Sequence, residues 1–326
     1  MDTSTFRRYI FEKKKSAEKL VVNCQKIRNN NIFLLTYVSR LFFFAVIVLL
    51  FPASTFAQFD YRSDWKRAPT SFKPYVIKFT TPSGMNILRD APADHLHHHA
   101  MMFALGVDGV NFWEQFNPKD FGRQETTSIE ESTAETNGRP VKKVESTITW
   151  ATGVGVPMIF EQRTITGSRI DNANVLEWTS VLTTPPEKER VRLHGAPYNG
   201  LGMRFVESMD RDGTFFTAPD AGEPEVRSAR ERSIPCRWVA YTAKVNDKPV
   251  TVAIFDTKDN PLPMHAFTLS GTDKAFAYLS AAVNLRQEPF FLTAEQPLTF
   301  RYKVVLWDGV KTAEHVEAMF KKFDDR

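Results

Sequence analysis

The chain has 326 residues, 42% hydrophobic and 25% charged, with 27 Phe, 8 Tyr and 6 Trp; that composition excludes intrinsic disorder, and a single continuous apolar stretch excludes a multi-span membrane protein. The formal net charge of +4 averages two unlike parts: residues 1–57 hold nine Lys/Arg against three acidic residues, and the other 269 hold 33 basic and 35 acidic residues. No basic footprint for nucleic acid remains outside the first part.

That first part reads as an export signal. After Arg40 come eleven apolar residues, Leu41 to Phe51, then Pro52 and the small-residue run Ala53-Ser54-Thr55-Phe56-Ala57. Thr55 and Ala57 fit the −3 and −1 positions of a cleavage site before Gln58. Eleven residues fall short of the roughly 20 that a spanning helix needs, and Ser39 and Arg40 interrupt an anchor extended back through Ile32 to Val38. The expectation is a signal peptide over 1–57 and one domain over 58–326. The mature protein is then periplasmic or secreted, with no integral membrane domain. Cys24 falls in the leader and leaves Cys236 as the one mature thiol, so no internal disulfide staples the fold. Beside Trp238, Cys236 reads as a small buried hydrophobe.

Strand patterns then follow in chain order: 75–79, 101–107, 144–150, 158–165, 175–182, 237–243, 250–255, 276–283 and 298–306, many of them rich in Val, Ile, Thr, Phe and Tyr. Turn signals separate them at Thr81-Pro82-Ser83-Gly84, Asp108-Gly109, Asn137-Gly138, Asn246-Asp247 and Ser270-Gly271-Thr272-Asp273. Asp108-Gly109 is the strongest, because a type I′ hairpin needs positive φ at both positions. After Thr312, Ala313, Val316, Phe320 and Phe323 recur at helical spacing. The fold class is all-β, with one C-terminal helix; a large antiparallel β-sandwich is the economical architecture and two smaller stacked β domains are the alternative.

Four of the seven histidines fall within Asp94-His95-Leu96-His97-His98-His99. If the strand at Met101 begins early, His97 and His99 share one face and His98 the other. Two imidazoles at i, i+2 can hold one divalent metal given a third ligand from His194, His265, Glu161 or Asp256. They can equally serve as a general base or as hydrogen-bond donors to a polar substrate, and the plain alternative is a solvated loop. A second group surrounds Gly195, Gly200 and Gly202, where His194, Tyr198, Asn199 and Arg204 are polar groups able to converge on hydroxyls. Alternation points Glu161 and Arg163 the same way, toward a site or as a surface ion pair. Gly153-Val154-Gly155 lacks the following helix of a phosphate loop. The six tryptophans are scattered and read mostly as core, with one or two free to stack on sugar rings.

Several segments together resemble a known family: Lys73-Pro74-Tyr75, Thr80 to Gly84, Arg89-Asp90-Ala91-Pro92-Ala93-Asp94-His95-Leu96-His97-His98, Gly109 to Trp113, Gly122-Arg123, Gly200 to Arg204, Val252 to Asp256 and Arg301-Tyr302. The sequence is similar here to the exported bacterial PmoA-like family. That label names a methane oxygenase, whose several spanning helices have no counterpart after the leader. The resemblance implies a galactose-mutarotase-like supersandwich, in which sugar sites draw His, Arg and carboxylate residues from a sheet face. It therefore implies an exported carbohydrate-active enzyme, a hydrolase, lyase or epimerase, acting on a glycoside or sugar derivative. His97, His99, Glu161 and His194 are the expected catalytic residues, and His95, His98, Tyr198, Asn199, Arg204 and His265 the expected saccharide contacts. The alternatives are a non-catalytic saccharide-binding module and a structural envelope protein. Where relatives carry Arg-Gly after the second adjacent histidine, this chain has His99-Ala100.

Overall fold

The computed structural model describes residues 56–63, 72–114, 121–136, 138–271, 276–287 and 289–324. The expected signal peptide, apart from Phe56 and Ala57, lies outside the described residues, as do Trp65, Asn137 and the Thr272-Asp273 half of one expected turn. With strands numbered in chain order, the first sheet runs β1 (Phe59–Arg62), β2 (Tyr75–Phe79), β3 (Met101–Ala104), β11 (Gly200–Arg204), β18 (Tyr278–Ala282), β17 (His265–Leu269), β14 (Glu231–Pro235), β13 (Glu225–Val226). The second runs β12 (Thr214–Thr217), β15 (Trp238–Val245), β16 (Lys248–Phe255), β20 (Leu298–Asp308), β9 (Ala173–Thr183), β8 (Pro157–Ile170), β7 (Arg139–Thr152), β6 (Gly122–Thr136). A small third sheet orders β19 (Phe290–Thr293), β10 (Arg190–His194), β4 (Gly106–Val107) and β5 (Val110–Asn111). The named strands pair antiparallel throughout, as expected of hairpin-connected β structure.

Alternation explains the layers. Along β20, Phe300, Tyr302, Val304 and Leu306 enter the main core between the two large sheets, while Val305 and Trp307 face the other way. That second face is covered by α1 (Ala313–Asp324), whose Val316, Met319 and Phe320 are buried against Trp238, Phe255 and Trp307. The Asp108-Gly109 hairpin has the positive φ values it requires, 46° and 86°. The expected strand over 101–107 is instead two strands, β3 and β4, separated at Leu105.

Most important for the site, the two faces of the first sheet differ. Phe103 packs against Phe300 and Trp150, and Phe205 against Tyr241, so odd-numbered positions of β3 and β11 look into the sandwich. The opposite face carries two cross-strand rows, Met102–Gly202–Ser280–Phe267–Ser233 and Arg204–Tyr278–Leu269–Glu231.

Candidate functional site

These rows floor a cavity of about 290 Å³, lined by His95, His97 and His98, by Glu114, Tyr198 and Glu231, and by Phe267, Leu269, Phe276 and Tyr278. Gly202 creates the floor: a Cβ built there would fall onto the Tyr278 hydroxyl and lie 2.8 Å from the Trp113 ring. Both large rings rest on bare backbone.

The histidine tract does not extend β3. His95 N–H donates to Pro92 O and His98 N–H to His95 O, each at 2.9 Å, so the tract is a pair of turns. Ala100 then takes φ of 39°, the left-handed region that favours glycine. This corrects the expected face-sharing of His97 and His99. His98 is stacked between His95 at 4.6 Å and Tyr278 at 5.2 Å, with the His97 ring edge-on to it at 4.5 Å. His99 goes elsewhere: it is 1% exposed, its Nδ1 pairs with Asp90 Oδ1 at 2.8 Å, and its ring stacks on Tyr75. Tyr75 also donates to Asp90 Oδ2 at 2.6 Å, so His99 ties the tract to β2.

Burial, with Lys73, His95 and His99 adding like charge, pulls His97 down to about 3. Burial, then His97 and His95, sends His98 well below its usual range. Both are neutral imidazoles at neutral pH, able to donate from one nitrogen and accept at the other. Tyr198 Oη donates to Glu114 Oε1 at 2.6 Å; burial and that hydrogen bond push its phenol up. Five buried polar atoms in this region, His98 Nδ1, Tyr278 Oη, Trp113 Nε1 and Arg204 Nε and Nη1, have no hydrogen-bond partner among the described residues. Such atoms are rare in native proteins and cluster where a ligand or ordered water completes them.

Of the expected site residues the cavity gathers His95, His97, His98 and Tyr198. Glu161 is corrected to a structural role: it is fully buried between the sheets, paired with Arg163 at 2.7 Å. His194 packs its ring over Gly106, where a Cβ would strike it, and its Nε2 accepts from Gly109 N–H at 3.0 Å, so it braces the β4–β5 hairpin. Asn199 is buried under Gly195 in the turn before β11. Arg204 lies under the cavity wall, its guanidinium 3.6 Å from the Phe276 ring centroid and bonded to Asp94 at 2.9 Å. Burial, only partly offset by Asp210 and Asp94, pulls that guanidinium down to about 10. His265 shares the outward face of β17 but is not among the lining residues. Asp256 is occupied by Met264 N–H and Asn260 Nδ2 in a local turn. Among the described residues, no group of three or more His, Cys, Asp or Glu side chains is placed to hold a metal ion. Cys236 packs against the main core, and burial pushes its thiol up to about 12.

Sequence reasoning missed Glu114, Glu231, Phe267, Phe276, Tyr278 and Lys73. Lys73 is 1% exposed and donates from Nζ to Trp113 O at 2.6 Å and His97 O at 3.4 Å, clamping together two loops that roof the cavity. A lysine directly before Pro74 at the start of an apolar strand was the available signal. Burial, only partly offset by Glu114, lowers Lys73 to about 7. The unfolded chain keeps this proton up to about pH 10.5, whereas the native protein loses it from about pH 7. Between those values the unfolded state binds more protons, so stability rises with pH. Urea titrations are expected to show wild type gaining about 1.4 kcal/mol per pH unit relative to Lys73→Met in that window; parallel profiles for the two proteins would refute it.

The fold and cavity thus define an all-β sandwich with an imidazole- and carboxylate-lined pocket on the outer face of one sheet. A family model described as "Family of unknown function (DUF6807)" matches residues 47–321, and the chain belongs to that family. No curated protein matches the sequence. Among solved structures, an alpha-galactosidase from Lactobacillus brevis is similar at 9% identity and TM-score 0.44, over 78% of this chain and 38% of that one. A GH36 alpha-galactosidase from Geobacillus stearothermophilus, solved in complex with raffinose, is similar at 10% identity and TM-score 0.43, over 78% and 40%. The chain spans about two fifths of the length of these two proteins. A galactose mutarotase related enzyme from Lactobacillus acidophilus is similar at 8% identity and TM-score 0.40, over 73% of this chain and 92% of that one. No helix among the described residues is long and apolar enough to cross a membrane.

Proposed function

We propose that the protein is an exported carbohydrate-active enzyme that seats one sugar ring in this cavity and acts on it by acid–base chemistry. One observation carries the reading: two carboxylates, three imidazoles and flat aromatic walls converge on a single cavity. At about 290 Å³, the cavity lies at the small end of ligand pockets and matches a single ring better than a long chain. Aromatic faces pack against the C–H faces of a sugar, while carboxylates and neutral imidazoles accept from and donate to its hydroxyls. Proton transfer falls to Glu114 and Glu231. With a pKa of about 3, His97 is a weaker base than an ordinary carboxylate, so it and His98 position the ring.

The test is a panel of free aldoses and glycosides followed by NMR for binding and for product. Turnover by wild type is expected to fall about a hundredfold or more in Glu114→Gln and in Glu231→Gln, with ring binding retained. Binding without product in wild type would replace this reading with a non-catalytic saccharide-binding module.

A further inference from the structure

The charges around the cavity are unevenly satisfied. Arg204 is held by Asp94 at 2.9 Å and Asp210 at 3.8 Å, and lies against Phe276. Arg227, whose charge reaches Tyr198, is paired with Glu225 at 3.0 Å. Lys73 spends its donors on two backbone carbonyls. His97 and His98 are neutral. Arg204 keeps Nε and Nη1 without a hydrogen-bond partner among the described residues, but it lies behind Phe276 and does not line the cavity. The cavity carboxylates form no ion pair within the described residues: Glu114 takes its hydrogen bonds from the neutral Tyr198 and Asn111 and feels the Lys73 charge only at a distance, and Glu231 has no ionic partner. Glu231 is half-buried at the first residue of β14, directly opposite Leu269 in the cavity floor. The rings of Tyr198, Phe267, Phe276 and Tyr278 line the same cavity, and aromatic faces attract a cation.

Resting on the saccharide reading above, we infer that this cavity selects its sugar by charge: it takes a ring bearing an ammonium group in preference to the neutral parent, and rejects a ring bearing a carboxylate. An anion entering here meets two carboxylates with no Lys or Arg among the described residues that line the cavity, and like-charge juxtaposition in a partly desolvated pocket is costly. A protonated amine finds the opposite: a carboxylate without a competing partner and aromatic faces at its sides.

Calorimetric titration with glucose, glucosamine and glucuronate near neutral pH tests this. Glucosamine is expected to bind about tenfold tighter than glucose, and glucuronate about tenfold weaker. In Glu231→Gln the amine preference is expected to shrink to about twofold or less, and in wild type it is expected to decline with added salt. Glucuronate binding as tightly as glucose overturns the inference, as does an amine preference that survives both Glu231→Gln and added salt. Equal binding of all three rings overturns the inference while leaving the saccharide reading standing; binding of none overturns both.

Discussion

Replacing Glu161 by alanine is expected to cost about 3–5 kcal/mol of folding stability while leaving the proposed sugar binding by the folded fraction unchanged. The carboxylate is fully buried and accepts four hydrogen bonds: from Arg163 Nε at 2.7 Å, Arg163 Nη2 at 2.8 Å, Trp150 Nε1 at 2.8 Å and Ser180 Oγ at 2.5 Å. Arg163 reaches on to Pro74 O at 2.9 Å and Gln124 Oε1 at 3.3 Å, with its guanidinium 4.6 Å from the Trp178 ring centroid. Burial lowers this guanidinium, but Glu161 together with Tyr61 outweighs it and holds the pKa above the ordinary arginine value. Removing Glu161 strands a charge between two sheets along with the Trp150 and Ser180 donors. Arg163→Met should be comparably damaging. Glu161→Met/Arg163→Met should cost clearly less than the two single changes added together, because the double replacement leaves no unpaired charge. Urea denaturation of the three variants measures this; a Glu161→Ala cost below about 1 kcal/mol would mean that the pair behaves like a surface ion pair.

That pair shows how far the sequence could be read. Alternation correctly put Glu161 and Arg163 on one face of β8, but which face required a further step. Ile159 and Ile165 share their parity and are buried, which marks the inward side; the pairing of two charges there disguised it. The long apolar strands were legible because their side chains alternate against a core. β6 was not, because its sequence from Glu125 to Thr136 is polar and mostly exposed along an edge that pairs only with β7, where charge guards against further strand addition.

The candidate site divides in the same way. A cluster of histidines was visible in the sequence, but its geometry depended on two turns and on the left-handed backbone at Ala100, so the apolar run after it suggested a strand beginning too early. Glu114 and Glu231 carry no local pattern at all. Glu114 follows the β5 hairpin, where Asn111 Oδ1 accepts from Trp113 N–H at 2.8 Å and fixes the turn. Glu231 arrives through the neighbouring positions of β14, β17 and β18 in the first sheet. Only topology brings these two carboxylates to one cavity.

Gly202→Ala is expected to abolish the proposed sugar binding while costing about 1–3 kcal/mol of stability. Gly202 lies directly opposite Ser280 across the β11–β18 pair, which makes Tyr278, two residues along, its diagonal neighbour on the same face. The backbone at Gly202 needs no positive φ, so the penalty is steric rather than conformational. An added methyl occupies the space of the Tyr278 hydroxyl and crowds Trp113 at 2.8 Å. Trp113 is 1% exposed and Tyr278 3% exposed, and Tyr278 is flanked by His98 and Phe267. A ring that yields toward the cavity it lines displaces His98 from the stack. Thermal melts and calorimetry should therefore show a folded protein with an occluded pocket. Adding Tyr278→Phe removes the atom in conflict and should recover part of the lost stability, a coupling that independent sites would not show. Gly202→Ala with unchanged melting and unchanged sugar affinity would remove the floor from this account of the cavity.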